Sequence, residues 1–141
     1  MSDQLETLRN IPLFSLLTDD KDLAEFLKAG QWSKYTSGGI IFRIGAPAPN
    51  IYVIATGKVL LTQNKKSLAT LGQGDIFGEV GPFLDLGRTV NAIATADTLV
   101  FEFSLAALDR IRLEISNEIL KHIHAVTARR FVESTRKLSC A

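Results

Sequence analysis

The stretch Gly74–Thr95, GDIFGEVGPFLDLGRTVNAIAT, places glycines, a carboxylate and an arginine close together in the chain. Its pattern predicts a turn, a short strand, a glycine-rich bend into a short helix, and then a strand that begins at Arg88. Gly78 precedes the bend and Gly81 follows it, where the lack of a Cβ lets the main chain approach a ligand. The stretch therefore predicts a small cradle at the start of a helix.

The chemistry of this cradle suits a phosphodiester. Backbone N–H groups at a helix start donate hydrogen bonds to an anion, and the helix dipole favours negative charge there. Arg88 has a planar fork that can satisfy both free phosphate oxygens, which a lysine cannot do. Thr89 adds a hydroxyl and an N–H beside it. Glu79 does not suit a phosphate, but a carboxylate accepts hydrogen bonds, and a ribose hydroxyl is its natural donor.

An arginine for the phosphate and a carboxylate for the ribose, Arg88 and Glu79, suit a nucleotide whose phosphate is folded back onto its ribose. Taken singly, Gly78 could be an ordinary turn glycine and Arg88 an ordinary salt-bridge partner on a solvated face. The combination at this spacing favours a binding site.

This arrangement resembles the phosphate-binding cassette of cyclic-nucleotide-binding domains, the catabolite-activator-protein-like β-roll family. That pattern is Gly-Glu-aliphatic-small and, about nine residues after the Glu, Arg-Ser/Thr/Ala-small. Here the run 78–81 reads GEVG, the run 88–90 reads RTV, and nine positions separate Glu79 from Arg88. Upstream glycines resemble the turns of the family's β-roll, so the resemblance covers nearly the whole chain; they are Gly38, Gly39, Gly45, Gly57, Gly72 and Gly74.

The resemblance implies a role for each matching residue. Glu79 would contact the ribose 2′-hydroxyl and Arg88 the cyclic phosphate. Gly78 and Val80 would donate backbone N–H groups, and Thr89 would touch phosphate or base. The implied ligand is cAMP or cGMP, with no metal. A Thr after the Arg accommodates a syn guanine in cGMP-preferring members, yet Ser or Thr also occurs there in cAMP-binding bacterial members, and we slightly favour cAMP.

Composition indicates a single domain, residues 1–141, with 46% hydrophobic residues and a formal net charge of +1. This mixed charge argues against a dedicated nucleic-acid binder. A single cysteine, Cys140, excludes an intrachain disulfide framework. No signal peptide and no apolar run of ~18 residues is present, so we expect a cytoplasmic protein without a membrane partner. The β-roll is expected to be a stand-alone sensor, because the chain is too short for a following helix-turn-helix module.

The predicted fold is mainly β with flanking helices: N-terminal helices in residues 1–30, a jelly-roll-like β-roll in 31–103, and C-terminal helices in 104–138. Residues 3–10 have an amphipathic pattern, and Thr18-Asp19-Asp20 is a helix-start signal. Short apolar runs separated by turn residues then predict strands at 40–42, 51–54, 59–61, 68–71, 90–93 and 99–103, with Asn64-Lys65-Lys66 as a hairpin tip. The aromatic residues Trp32, Phe42 and Tyr52 are expected in the core.

A long helix is predicted from about Ile115 to Leu138, with its start after a helix capped by Ser104. Its apolar stripe comprises Ile115, Ile119, Ile123 and Val126, and its C-terminal end carries Arg129, Arg130 and Lys137. Its ~36 Å length exceeds what a small β-roll needs. Packing on the β-roll, pairing with a second copy in a homodimer, and covering the nucleotide base all stay open.

No constellation for catalysis is present, and we expect that the protein is not an enzyme. His122 and His124 are two residues apart on a predicted helix, so they point to different sides and cannot share a metal. There is no Gly-x-Ser-x-Gly elbow and no Walker lysine loop. The primary hypothesis is a regulatory module that binds cAMP or cGMP and signals to an unidentified effector protein by movement of its C-terminal helix.

The alternative is a ligand-free β-roll used for dimerisation or protein interaction. Its support is Pro82, which falls inside the predicted cassette helix. Proline is tolerated only in the first turn, so that helix must begin near Gly81 or be short and irregular. Some members of the family keep the fold and have lost the ligand.

Overall fold

Two antiparallel sheets form the body of the computed structural model, which describes residues 8–139, with side chains described as far as residue 136. The first sheet has the strand order β1-β8-β3-β6 and the second has the order β2-β7-β4-β5. The strands are β1 (Gln31–Tyr35), β2 (Ile40–Phe42), β3 (Asn50–Thr56), β4 (Val59–Gln63), β5 (Lys66–Leu71), β6 (Ile76–Phe77), β7 (Asn91–Ala94) and β8 (Thr98–Ser104).

Helices lie before, within and after the strands. They are α1 (Pro12–Ser15), α2 (Asp20–Lys28), α3 (Val80–Leu84), a 3₁₀ helix (Leu105–Arg110) and α4 (Leu113–Ser139). This is the predicted β-roll with a long C-terminal helix, and the predicted fold class is confirmed. No helix in the described residues is both long and apolar enough to cross a membrane.

Alternation along β3 divides the interior into two cores. Ile51 and Val53 point into the helix-side core, which the first sheet forms with α1, α2, the 3₁₀ helix and α4. Tyr52 and Ile54 point into the inter-sheet core, which lies between the two sheets. A strand that is buried on both faces has an uninterrupted run of apolar residues in its sequence, and residues 51–55 have this pattern.

Turn chemistry fixes the hairpin between β4 and β5. Asn64 and Lys65 have φ values of 51° and 67°, the left-handed conformation that a two-residue hairpin turn of type I′ requires. The predicted hairpin tip is therefore confirmed, and its lysines are exposed.

The helix signals also mark real boundaries. Asp19 caps α2 by accepting a hydrogen bond from the Lys21 N–H at 2.9 Å. Ser104 caps the helix that follows β8 by accepting from the Ala107 N–H at 3.3 Å, although that helix is 3₁₀. Of the predicted helix 3–10, Leu8 and Arg9 are helical, and residues 3–7 lie outside the described residues.

Three predictions from the sequence need correction. Arg88 lies in a loop, three residues before β7 begins at Asn91, because its main chain is held by the Ala46 carbonyl and the Gly45 N–H. Strand β1 was not among the predicted strands, since this edge strand contains mostly polar residues. Trp32 is 38% exposed and packs on Phe14 and Phe101 by one side only, so its assignment to the core was wrong.

Candidate nucleotide site

Arg88 of the predicted cradle is only 5% exposed, although arginine side chains are mostly exposed in folded proteins. One Nη donates to the Gly78 carbonyl at 2.6 Å and the other to the Asn50 carbonyl at 2.7 Å. Two carbonyls from different segments therefore hold the guanidinium across the cassette. Burial lowers the pKa of Arg88 from its ordinary value, but an arginine stays charged at neutral pH.

The Nε of Arg88 is buried and has no hydrogen-bond partner among the described residues. It is the one buried side-chain nitrogen or oxygen of the described part of the chain with this property. An unpaired buried donor costs free energy, roughly 1–3 kcal/mol, and more for a charged group. A buried donor of this kind calls for an explanation, and a bound ion or water that completes its hydrogen bonding is one.

Aromatic rings form one wall beside the guanidinium. The Arg88 Cζ lies 4.1 Å from the centroid of the Phe42 ring and 5.4 Å from that of Tyr52. Tyr52 in turn stacks on Phe77, with 5.0 Å between centroids. Burial raises the pKa of Tyr52 to about 12, so its hydroxyl is neutral at physiological pH.

Gly78 is required where the chain passes the arginine. Its φ is +77°, and a Cβ there would lie 2.8 Å from an Nη of Arg88 and 3.1 Å from Tyr52. Gly81 is required by packing, because its Cβ would lie 2.5 Å from the Cβ of Ala48. Pro82 occupies the third position of the five-residue helix α3, in its first turn, so the predicted short helix is confirmed.

Glu79 immediately precedes α3 and is 5% exposed. Its Oε1 accepts hydrogen bonds from the Thr127 hydroxyl and from Arg130, both at 3.2 Å. Arg130 also donates to the Ile76 carbonyl of β6. Both donors belong to α4, so the long helix is tied to the cassette at its carboxylate.

A cavity of about 370 Å³ opens between the cassette, the inter-sheet core and α4. It brings together all five residues that the sequence predicted for the site: Gly78, Glu79, Val80, Arg88 and Thr89. Thr89 and Val80 are exposed, whereas Glu79 and Arg88 are buried at its wall. The remaining lining residues are Phe42, Leu61, Phe77, Gly81, Val90, Thr127, Arg130, Phe131 and Ser134.

Sequence reasoning left open whether α4 covers the nucleotide base, and it did not identify which residues of that helix reach the site. Thr127 and Arg130 are 48 and 51 residues from Glu79 in the chain, and no local pattern connects them. Phe131, which is 69% exposed and lines the cavity, was not among the predicted site residues either. The signal that could have been used is the pair of polar residues followed by an aromatic residue on one face near the end of α4.

No group of three or more His, Cys, Asp or Glu residues that could hold a metal ion is found within residues 8–139. His124 instead packs on Phe83 of α3, with 5.3 Å between ring centroids. Cys140 lies outside the described residues.

Comparison with known proteins agrees with this geometry. The family model described as "Cyclic nucleotide-binding domain" matches residues 32–114. The chain is similar to the cyclic AMP receptor protein of Thermus thermophilus, with 34% identity over 142 aligned positions that cover 93% of this chain and 62% of that protein. It is also similar to a cGMP-dependent protein kinase of Plasmodium berghei, with 33% identity over 92 residues, 65% of this chain. The chain spans only 11% of that kinase's length.

Among solved structures, the crystal structure of the catabolite activator protein of Thermus thermophilus superposes with a TM-score of 0.73 at 30% identity. The match covers 92% of this chain and 62% of that one. The residues that match the family model include all of β1 except Gln31, the strands β2 to β8, helix α3, and both cassette residues, Glu79 and Arg88. The chain belongs to the cyclic nucleotide-binding domain family.

Proposed function

We propose that this chain is a regulatory module that binds a cyclic nucleotide, cAMP or cGMP, and signals through α4. The observation that carries the proposal is the buried Arg88 with a free Nε–H, on a cavity that it shares with Glu79. A buried cation without a bound anion is costly, and a singly charged cyclic phosphate would offset that cost with a charge-assisted hydrogen bond.

The size and lining of the cavity support a small nucleotide. Its volume of about 370 Å³ lies within the ~300–1,000 Å³ range of small-molecule sites. The anion partner Arg88 and the acceptor Glu79 are at the wall, and Leu61 and Val90 offer apolar surface suited to a base. Thr89 is the residue that we expect beside the base, and cAMP stays slightly favoured over cGMP.

The proposed output is a change in the position of α4. Within residues 8–139, both donors recorded for Glu79 bind Oε1 and come from α4. A carboxylate accepts about four hydrogen bonds, so Oε2 retains capacity for a ribose hydroxyl. The ligand and the helix would then meet at one side chain, and a ligand with different affinity for the two positions of α4 would shift their populations.

The proposed activity is binding without catalysis, in the cytoplasm, with an effector protein as the recipient of the signal. Pairing of α4 between two copies is a further proposal, since Leu113 and Phe131 on that helix are exposed.

A ligand-free interaction domain is the second candidate. The observation in its favour is that Glu79, the proposed ribose acceptor, already has partners from its own chain in Thr127 and Arg130. In that case Arg130 would replace the ligand and α4 would serve only as an interaction surface.

Thermal unfolding with cAMP, cGMP and 5′-AMP separates the two candidates. A ligand that binds only the folded state stabilises it and so raises the melting temperature. At a ligand concentration one hundred times Kd, the free energy of unfolding increases by about 2.7 kcal/mol. We expect a rise with a cyclic nucleotide and little change with linear 5′-AMP. Arg88→Ala is the matched variant, because removal of a charged hydrogen-bond partner costs about 1.5–3 kcal/mol, roughly ten- to a hundredfold in affinity.

For each protein, the melting temperature without ligand is subtracted from the melting temperature with ligand. Any loss of stability caused by Arg88→Ala itself then cancels. No rise for the wild type with either cyclic nucleotide would favour the ligand-free candidate. An equal rise in the variant would remove Arg88 from the site.

A further inference from the structure

In the described part of the chain, no carboxylate forms a direct ion pair with the guanidinium of Arg88, although the charges of Glu79 and Glu102 partly oppose the lowering of its pKa by burial. Its recorded hydrogen bonds go to two neutral carbonyls, those of Gly78 and Asn50. The buried carboxylate nearest in the cassette sequence, Glu79, forms its ion pair with Arg130 at 3.2 Å. Neutral partners compensate a buried cation only in part.

The face of the Phe42 ring supplies a further favourable contact. The separation of 4.1 Å between the Arg88 Cζ and the ring centroid is well within the ~6 Å range of cation–π attraction. Such attraction is stronger where water is excluded, and Phe42 is buried. Tyr52 is further away, at 5.4 Å, and so contributes less.

The carbonyls and the ring restrain different movements of the guanidinium. The Gly78 and Asn50 carbonyls fix the two Nη atoms, which sets the direction of the fork. The ring lies against the guanidinium and opposes its withdrawal from the wall. The remaining donor, Nε, is the one left without a partner among the described residues.

We propose that Phe42 is a positioning residue of this site: through its ring face it holds the Arg88 guanidinium at the wall of the nucleotide cavity, in the orientation that pairs with an anionic ligand. This inference depends on the proposed function, since it treats Arg88 as the anion partner. Without the ring, Arg88 adopts other rotamers in which it is solvated. Apparent affinity then falls in proportion to the fraction of molecules that keep the competent orientation.

A packing role alone would be the simpler explanation for this aromatic residue. Phe42 does belong to the inter-sheet core and lies 5.7 Å from Tyr52 and 6.0 Å from Phe77, centroid to centroid. The two roles differ in their dependence on ring electrons. Packing depends on the volume of the ring, whereas cation–π attraction depends on the negative charge of its face.

Stepwise fluorination at position 42 therefore separates the roles. Replacing Phe42 by 4-fluoro-, 3,5-difluoro- and 3,4,5-trifluorophenylalanine withdraws electrons progressively with little change in shape. We expect the calorimetric Kd for cAMP to rise with each fluorine, to about five- to thirtyfold at three fluorines. The melting temperature without ligand should change much less than the affinity does.

The same series at Phe103 is the matched control. Phe103 is fully buried in the helix-side core, against Phe26 at 5.0 Å, and does not line the nucleotide cavity. Fluorination there should leave the Kd unchanged. On an Arg88→Gln background the effect of fluorination at position 42 should disappear, because no cation is left over the ring.

A second measurement needs no ligand. Exchange of the Arg88 Nη protons by rotation about the Cζ–Nε bond, followed by ¹⁵N nuclear magnetic resonance, should become faster in the trifluoro protein. If the wild type binds no cyclic nucleotide, the proposed function fails, and this measurement alone decides whether Phe42 holds Arg88. Unchanged exchange, or a Kd that does not depend on fluorination in a protein that binds cAMP, would overturn the inference.

Discussion

Glu79 is a buried carboxylate that is hydrogen-bonded to α4 and that, in the proposed function, accepts a hydrogen bond from the ribose. Burying a carboxylate is unfavourable unless it is paired, and the pairing here comes from Arg130 and the Thr127 hydroxyl. Because these donors share Oε1, the other oxygen can accept from a ligand without loss of either contact. The residue is thus suited to recognise a hydroxyl and to report its presence to α4.

We expect Glu79→Gln to weaken binding of cAMP by roughly tenfold, since a hydrogen bond to a charged acceptor is stronger than one to a neutral amide. Titration of 2′-deoxy-cAMP against both proteins tests where that loss arises. Removal of the 2′-hydroxyl should cost less on the variant than on the wild type, because the hydroxyl and the carboxylate act as a pair. If removal of the 2′-hydroxyl lowers the affinity equally in both proteins, the ribose does not bind to Glu79.

At this scale the sequence predicted which residues share the cavity but not what surrounds them. Gly78, Glu79 and Arg88 lie within one short stretch, so their spacing alone brings them together. Besides Gly78, the partners of Arg88 are Phe42 of β2 and Asn50 at the start of β3, which are far from it in sequence. Trp32 shows the same limit, because an edge strand exposes part of a residue whose type favours the interior.

Among the elements, α4 has two halves that contact different parts of the protein. Ile119 and Ile123 are fully buried in the helix-side core, so the first half is anchored there. The second half touches the cassette through Thr127 and Arg130 and carries Phe131 at the cavity. A helix anchored at one end and bound to the site at the other can transmit a change at the site along its length.

Arg130→Ala should uncouple α4 from the ligand. In the wild type, cyclic nucleotide is expected to alter amide hydrogen exchange over residues 124–136, because Glu79 connects ligand and helix. In the variant that change should be much smaller, while affinity falls only several-fold, since Arg88 is intact. Hydrogen exchange followed by mass spectrometry, with and without cAMP, measures this change in the wild type and in the variant.

Arg129→Ala is the control for this prediction. Arg129 is exposed, and its recorded bond is to the Ala125 carbonyl of its own helix, so the response to ligand should stay that of the wild type. A full response in Arg130→Ala would show that the signal reaches α4 by another route.

Element boundaries followed the local rules wherever a strong turn or cap residue was present. Asp19 and the Asn64-Lys65 turn are examples, since each satisfies or bends the backbone by itself. The division of α4 was not predictable, because its amphipathic stripe is continuous while its two ends contact different elements. The stripe indicates which face is buried but not against what.

Across the whole molecule, an ion pair joins the N-terminal helices to the base of α4. Arg112, which immediately precedes α4, donates from Nε to one oxygen of Asp22 at 3.1 Å and from Nη to the other at 2.7 Å. These residues are 90 positions apart, so the bidentate contact closes the helical layer over the first sheet. Hydrogen bonding to Arg112 holds the pKa of Asp22 below its ordinary value, against the opposing effect of burial.

This contact makes stability depend on pH in a defined direction. A carboxyl group whose pKa is lower in the folded than in the unfolded state stabilises the fold above its unfolded pKa, about 3.9, and that stabilisation disappears as pH falls through the folded pKa. We therefore expect the free energy of unfolding of the wild type to exceed that of Asp22→Asn by a constant amount above pH ~5. The difference should shrink steadily below pH ~4. Urea unfolding at a series of pH values measures it.

Glu118→Gln is the matched control for acid sensitivity. Glu118 is exposed on α4 and pairs with Lys121 at 3.7 Å, and solvent-exposed pairs contribute little to stability. The free energy of unfolding of Glu118→Gln should therefore follow that of the wild type at every pH. If Asp22→Asn also follows the wild type throughout, the pair with Arg112 does not stabilise the fold, and the helical layer is held by its apolar core alone.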